Sequence, residues 1–333
     1  MMLTTTDVVR LAHSRPWASK PWSAELLEVF PDRLERAVDR WRLSIERAHL
    51  EGAGLPVLEV RARLGSAAVP AVVKFDGAGS DLQQQLRVLL AADGTGYVRV
   101  LEHDAELGVV LLERLGPTLS RELRDPVSQG DVIAGLLEQA WQLPLQVGLP
   151  FAPDEKAVSL LAAIEEAPEA PVNPPGDGQP GGRASSRAGA AEPVRRRAVE
   201  HARDLARELA ASPSSTQVVA HGDPHPCNVL RRGAKFTFID PDGFRCEPEY
   251  DAAVALRDHQ LVIDQLEQNQ GAGAGRRWHR ELVRRLALRL ELDVDRVAAW
   301  AFVERVTTGL HLSALGYLDE GESWLATADT LVG

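Results

Sequence analysis

Cysteine is nearly absent from this chain: two residues in 333, Cys227 and Cys246, give neither a disulfide framework nor a zinc pattern. No apolar run reaches the roughly 18 residues that a membrane-spanning helix needs. The opening MMLTTTDVVRLAHSRPW lacks a basic stretch followed by an apolar one, so no signal peptide is expected. Together these absences point to a reducing cytoplasm and to no membrane partner. Positive charge is also short, with 37 Lys and Arg against 48 Asp and Glu, a net charge of -11. That balance argues against a nucleic-acid partner, which needs a basic face for phosphates. It is compatible with a small cationic substrate. Lysine is the scarcest charge, occurring only at 20, 74, 156 and 235. Lys74 stands out because it lies inside an apolar strand pattern, VPAVVKF. No internal repeat is visible.

What is present divides in two. Residues 23–50 carry a helical stripe at Leu26, Leu27, Phe30, Leu34, Ala37, Trp41 and Ile45. Strand patterns follow at 56–64, 69–75, 97–104 and 107–115, with a helix over 80–92. GPTLS at 116–120 reads as a hinge. Beyond it the pattern is mostly helical, with short strands near 217–220, 228–231 and 235–239. Residues 166–193 are rich in Pro, Gly, Ala and Ser, hold one large aliphatic residue, Val172, and read as a flexible surface insertion. The expectation is a two-lobed α+β fold: residues 1–115 form a small antiparallel sheet with a helix, and residues 116–333 form a helical lobe.

The chemistry concentrates in HGDPHPCNVL (221–230) and FIDPDG (238–243). Asp223 and Asn228 are five apart, and Asp240 ends an apolar strand twelve residues later. Phosphoryl transfer needs a carboxylate beside the acceptor hydroxyl and oxygen ligands for Mg²⁺ at the nucleotide phosphates. A loop of this length can offer Asp223 to the acceptor while Asn228 turns to the metal and Asp240 joins it. The pattern D-x-x-x-x-N followed by a strand-end Asp is that of a kinase catalytic loop, with Lys74 as the phosphate lysine. A metal-dependent hydrolase using His221, Asp223 and His225 is also conceivable, but it leaves Lys74 without a task. His221 reads as a packed histidine bracing the loop, His225 equally so, and Cys227 as a small packing residue.

HGDPHPCNVL, FIDPDG and EPEYDAA, together with WRL (41–43), VVKF (72–75), LRVLLAADGTGYVRVLEHD (86–104) and LLERLGPTLS (111–120), resemble the aminoglycoside phosphotransferase superfamily, in its streptomycin and hydroxyurea phosphotransferase branch. The resemblance implies a protein-kinase-like fold that uses ATP and Mg²⁺ to phosphorylate a hydroxyl of a small, cationic, antibiotic-type molecule. Related branches phosphorylate choline, homoserine or fructosamine. The resemblance makes Asp223 the catalytic base and Asn228 and Asp240 the Mg²⁺ ligands. Lys74 contacts the α- and β-phosphates, and the backbone at Glu113 and Leu115 holds the adenine. Asp251 becomes a supporting aspartate. His221, His225, Asp242 and Asp251 are left as supporting or substrate-facing groups.

Two departures stand out. The helix glutamate that pairs with the lysine in such kinases is replaced in DLQQQLRVLL by Gln83 or Gln84, which leaves room for a nucleotide-binding pseudokinase. IDPDG carries an extra acid, Asp242. The acids Asp240, Asp242, Glu247, Glu249 and Asp251 read as a cluster able to attract a cationic acceptor. The phosphate loop, RLGSAAVP, has a single glycine.

Overall fold

The computed structural model describes residues 2–50, 55–77, 81–167 and 188–332. The chain divides into two compact units: Met1–Glu122 with Gln146–Leu149 and Cys227–Gly243, and Leu123–Leu145 with Pro150–Pro226 and Phe244–Gly333.

The first unit opens with helices α1 (Thr5–His13) and α2 (Ala24–Trp41). Strands β1 (Ser44–His49), β2 (Val57–Leu64) and β3 (Ala67–Phe75) follow, then α3 (Leu82–Ala92), β4 (Val100–Asp104), β5 (Val109–Glu113) and the single turn α4 (Leu119–Glu122). The five strands pair antiparallel in the order β1-β2-β3-β5-β4. Along β3, Ala71, Val73 and Phe75 are buried while Val72 and Lys74 face the other way, as strand alternation requires. One face of the sheet packs on α2, with Phe30 edge-on to Phe75. The β2–β3 hairpin turns on Gly65 at φ +60.

Sequence periodicity runs one helix through residue 50, but the helix stops at Trp41. Arg42 takes the left-handed conformation (φ 45), and the Leu43 amide reaches back to the Val38 carbonyl. Ile45 falls four residues after Trp41 and so continues the helical stripe by coincidence. It is buried instead as a strand residue. The charged neighbours pair across β1 and β2, Glu46 with Arg61 at 2.9 Å and His49 with Glu59 at 2.7 Å. Lys74 therefore sits on the third strand of five rather than the second of four.

The first unit also holds a later segment. Strands β7 (Val229–Arg232) and β8 (Lys235–Phe238) form a hairpin that turns at Gly233, φ +60. It is tied to residues of the first 122 by Val98 N–H to the Phe238 carbonyl (2.8 Å) and Phe238 N–H to the Gly96 carbonyl (2.9 Å). GPTLS, expected as a hinge, pairs with this hairpin. Gly116 donates to the Arg231 carbonyl at 2.8 Å, so close that a Cβ at Gly116 would lie 3.1 Å from the Arg231 Cβ. The expected division assigned residues 239–243 to the second lobe, whereas their contacts place them in the first unit.

The second unit is built from α5 (Pro126–Ala140), α6 (Glu155–Glu166), α7 (Ala188–Ala211), α8 (Pro248–Val254), α9 (Gln260–Gln270), α10 (Ala274–Arg289), α11 (Val294–Ala314) and α12 (Leu318–Leu331). A two-residue pair, β6 (Val218–Val219) with β9 (Arg245–Cys246), is its only sheet among the described residues. Helix α11 is buried nearly all round and packs against α7, α8 and α12. The single helix expected over 249–268 is two, α8 and α9, with residues 255–259 between them. Of the expected 166–193 insertion, residues 168–187 lie outside the described residues, while 188–193 already belong to α7. Among the described residues no helix is long and apolar enough to cross a membrane.

Candidate active site

In the first unit, β3 presents Lys74 to two partners. Its ammonium donates to Asp240 Oδ1 at 2.8 Å and to Gln85 Oε1 at 3.0 Å. Gln85 comes from α3, which Asp81 caps by accepting from the Gln84 amide at 2.8 Å. Helical spacing aligns Leu82, Gln85 and Leu89 on one buried stripe, so Gln85 meets the lysine. The expected partners do not: Gln83 is exposed, and Gln84 donates to the carbonyls of Gly243 (2.6 Å) and Val147 (3.0 Å). Gly243 has φ +71, and a Cβ there would lie 2.4 Å from Val88. This explains the glycine that closes IDPDG.

The β7–β8 hairpin brings Asn228 beside Asp240. Val229 pairs with Phe238, and the Ile239 amide donates to the Asn228 carbonyl at 2.9 Å. Both residues thus flank the open end of one hairpin. Asp240 has φ 55, a left-handed conformation that is strained for most side chains and tolerated best by Asn and Asp. Such strain concentrates at functional positions. Asp242 is exposed. At the end of β5, the Glu113 amide donates to the Arg99 carbonyl at 3.0 Å, and the Glu113 carboxylate pairs with Arg232. Glu113 and Leu115 are both partly buried.

In the second unit, the loop carrying Asp223 is held from below. Asp251 on α8 is fully buried and accepts from His221 N–H (2.8 Å), Gly222 N–H (2.9 Å) and the Trp141 indole (2.9 Å). Burial lifts its carboxyl to about 6 against the pull of these donors. The His221 ring is buried, and its Nδ1 accepts the Asp223 amide at 3.2 Å. Asp223 Oδ1 accepts from Arg257 at 2.7 Å, and His225 Nε2 lies 3.4 Å from Oδ2. Burial alone would raise the Asp223 carboxyl, but His225 and the Arg257 charge outweigh it and hold the carboxyl well below the ordinary range. Arg257 itself is bound to Asp258 at 3.1 Å, and His225 Nδ1 lies 3.3 Å from Asp258.

Arg257 and Asp258 were not foreseen from sequence. Their signal was an Arg-Asp pair closing the apolar run AAVAL, six and seven residues after Asp251. The expected acidic cluster, by contrast, does not exist as one. Glu247 is buried against Arg296 (2.7 Å) and the Trp300 indole, and Asp251 is committed to the loop. Asp240 is paired with Lys74. Among the described residues no group of three or more His, Cys, Asp or Glu side chains is placed to hold a metal by itself.

The chemistry of these parts is specific. One unit offers a lysine fixed beside a carboxylate and an amide, and the other offers an ionised, braced carboxylate. Comparison with known proteins gives the family. The family model described as aminoglycoside/hydroxyurea antibiotic resistance kinase matches residues 40–316. A streptomycin 6-kinase of Streptomyces griseus is 28% identical over 314 residues, covering 94% of this chain and 91% of that protein. A hydroxyurea phosphotransferase of Kitasatospora aureofaciens is 29% identical over 314 residues, covering 93% of this chain and 81% of that protein. A solved aminoglycoside phosphotransferase, a thermostable mutant of APH(4)-Ia in ternary complex with AMP-PNP and hygromycin B, has 13% identity and a TM-score of 0.56 over 89% of this chain and 96% of that one. That likeness identifies the fold as the protein-kinase-like fold of small-molecule kinases. The chain belongs to the aminoglycoside/hydroxyurea antibiotic resistance kinase family and is an enzyme of the phosphotransferase class.

Proposed function

We propose that this kinase transfers the γ-phosphate of ATP to a hydroxyl of a small antibiotic-type acceptor, streptomycin or hydroxyurea being the leading candidates. The observation that carries the reading is Lys74, pinned between Gln85 (3.0 Å) and Asp240 (2.8 Å) at the strand position where a phosphate lysine is needed. Its family membership and its likeness to a streptomycin 6-kinase and a hydroxyurea phosphotransferase point to the acceptor class.

Each residue then has a task. Lys74 contacts the α- and β-phosphates of ATP. The adenine meets the backbone at Glu113 and Leu115; the Glu113 amide is already bonded to Arg99, so its carbonyl is the group it would offer. Asn228 and Asp240 present hard oxygen donors, the chemistry Mg²⁺ requires, and need only two protein ligands because the nucleotide supplies others. Held there, Mg²⁺ would supply positive charge to offset the negative charge that builds as ADP leaves. Asp223 orients the acceptor hydroxyl and takes its proton as the new O–P bond forms and the bond to ADP breaks. A strongly basic carboxylate is not required, because the phosphoryl group is largely dissociated from ADP before the attacking oxygen bonds. The low proton affinity of Asp223 suits this task.

A second reading, nucleotide binding without turnover, draws on the neutral Gln85 beside Lys74. One experiment separates the two. ADP release from Mg·ATP is measured with streptomycin, other aminoglycosides, viomycin-type peptides, hydroxyurea, choline and homoserine. Acceptor-dependent turnover with streptomycin or hydroxyurea is expected. ATP binding with no turnover for any acceptor would overturn the enzyme reading, and turnover with choline or homoserine alone would move the acceptor class.

A further inference from the structure

Asp223 belongs to a closed ring of charges within the second unit. Arg257 donates to its Oδ1 at 2.7 Å and to Asp258 at 3.1 Å. Asp258 lies 3.3 Å from His225 Nδ1, and His225 Nε2 lies 3.4 Å from Asp223 Oδ2, which closes the ring. A third acid, Glu304 of α11, is 3.6 Å from the Arg257 guanidinium and is itself held by the Tyr250 hydroxyl at 2.7 Å. Of the three acids that Arg257 reaches, the shortest contact is to Asp223.

We propose that Arg257 is a positioning residue for the phosphoryl transfer: anchored by Asp258 and Glu304, it fixes which way the Asp223 carboxylate faces and supplies the counter-charge that burial would otherwise deny it. This rests on Asp223 being the base. An arginine needed only to hold helices together would be satisfied by Asp258 and Glu304, which come from the α8–α9 connection and from α11. Its third arm goes to a loop whose backbone Asp251 already secures. The planar fork of a guanidinium can meet three acids at once, whereas a lysine ammonium on the same stem cannot hold all three in fixed geometry.

The groups facing Asp223 define the pH behaviour. His221 and His225 come from its own loop, Arg257 and Asp258 from the α8–α9 connection, and Asp251 from α8. Glu304 of α11 and Lys156 of α6, 3.8 Å from Glu304, stand behind Arg257. Burial pushes the Asp223 carboxyl up while His225 and Arg257 pull it down. Without Arg257 the upward push gains, and the carboxylate becomes protonated at higher pH.

The test compares the full chain with Arg257→Gln, Arg257→Lys, Asp258→Asn and Asp223→Asn. It uses Mg·ATP with streptomycin, and acceptor-free ATP hydrolysis, with water as acceptor, in parallel. Arg257→Gln is expected to lower kcat about 10- to 100-fold with the KM for ATP changed less than about 2-fold. It should also move the acid limb of the pH profile to higher pH than in the wild type. Arg257→Lys should restore the wild-type profile but only part of kcat. Should Arg257→Gln fail to fold, Arg257→Lys and Asp258→Asn, which keep a cation at 257 and loosen its geometry, carry the test through kcat losses of about 3- to 10-fold at unchanged KM. Wild-type kcat in these variants, or a loss that is uniform across pH and tracks a lower Tm, would overturn the proposal. Full activity of Asp223→Asn would instead bring down the reading of the base on which it rests, so the two failures are distinct.

Discussion

Lys74 and Arg257 are the two cations on which the proposed chemistry turns, and they are held differently. Their side chains are about equally exposed, 17% and 15%, so burial does not distinguish them. Counter-charge does. Lys74 has one carboxylate and one neutral amide, whereas Arg257 has three carboxylates within 3.6 Å. A lysine with a single acid can exchange it: phosphate oxygens can replace Asp240 on Lys74 and leave the Asp240 carboxylate for a cation. An arginine bridging three acids cannot be released without stranding at least one of them in a poorly solvated place. The first arrangement suits a group that must receive a substrate, and the second suits a fixed support.

The sharpest way to break this contrast is at Asp223 itself. Asp223→Asn removes the proposed proton acceptor and the shortest of the three acid contacts of Arg257, and should lower kcat by about 10³-fold. Nucleotide affinity, measured by calorimetry, should change by less than about 3-fold, because the first unit keeps Lys74, Gln85 and Asp240. A comparable loss in ATP affinity would mean that the two regions are not separable as argued.

Lys74→Ala tests the other side. It should reduce kcat/KM for ATP by about 10²-fold, mostly through KM, since the lysine contributes to binding in the ground state as well as the transition state. The expected pattern is thus the reverse of that for Arg257→Gln, where kcat falls and KM holds. If steady-state kinetics show Lys74→Ala lowering kcat alone, the exchangeable role of Lys74 is wrong.

How much of this was legible beforehand follows the same division. Lys74, Asp223, Asn228 and Asp240 sit in short local patterns, a strand, a loop and a hairpin, where spacing along the chain nearly equals spacing in the fold. Gln85 was missed in favour of Gln83 and Gln84 because three consecutive glutamines differ only in helical phase, and that phase is set by the Asp81 cap. Strand β1 reads as helix in the sequence because Ile45 keeps an i+4 spacing, while its own cross-strand partner on β2, Val60, is fifteen residues away. Arg257 and Asp258 look like ordinary solvated charges until the break between α8 and α9 turns them towards the loop. The expected acidic cluster is a misreading of the opposite kind: residues close in sequence that differ in burial, of which Asp240, Glu247 and Asp251 spend their charge on different partners.

A smaller effect is expected from the support beneath the loop. Asp251 has a folded value of about 6 against an ordinary 3.8, so its protonated form is favoured by folding. The stability it contributes is present below about pH 4 and lost as pH rises through about 6. Asp223 and Asp258 have the opposite sign: both are depressed, Asp258 to about 2, so their contribution is present above about pH 4 and lost on acidification. Asp251→Asn should remove the Asp251 share of the pH dependence between about 4 and 6, where Glu249, raised by burial, and His259 and His279, lowered by burial, also contribute, and leave the acid loss below it. It should also cost about 1–3 kcal/mol at neutral pH, because three donors then share one acceptor oxygen. Urea unfolding from pH 3 to 8 checks both statements. A slope between about pH 4 and 6 unchanged from wild type would mean that Asp251 does not carry the protonation change assigned to it.

The smallest change bears on the lysine. Gln85→Glu places a second carboxylate on Lys74 and makes its surroundings more like those of Arg257. Two effects oppose. A charged partner orients the ammonium more firmly, but a carboxylate at a position only 8% exposed must be desolvated, and it faces Asp240 across the same cation. Orientation should win by a small margin in kcat/KM for ATP, a rise of about 2- to 5-fold, with Tm lowered by a few degrees. A fall in kcat/KM at unchanged Tm would show that Lys74 works because its second partner is neutral. The glutamine would then be a feature that keeps the lysine exchangeable rather than a weakened remnant of an ion pair.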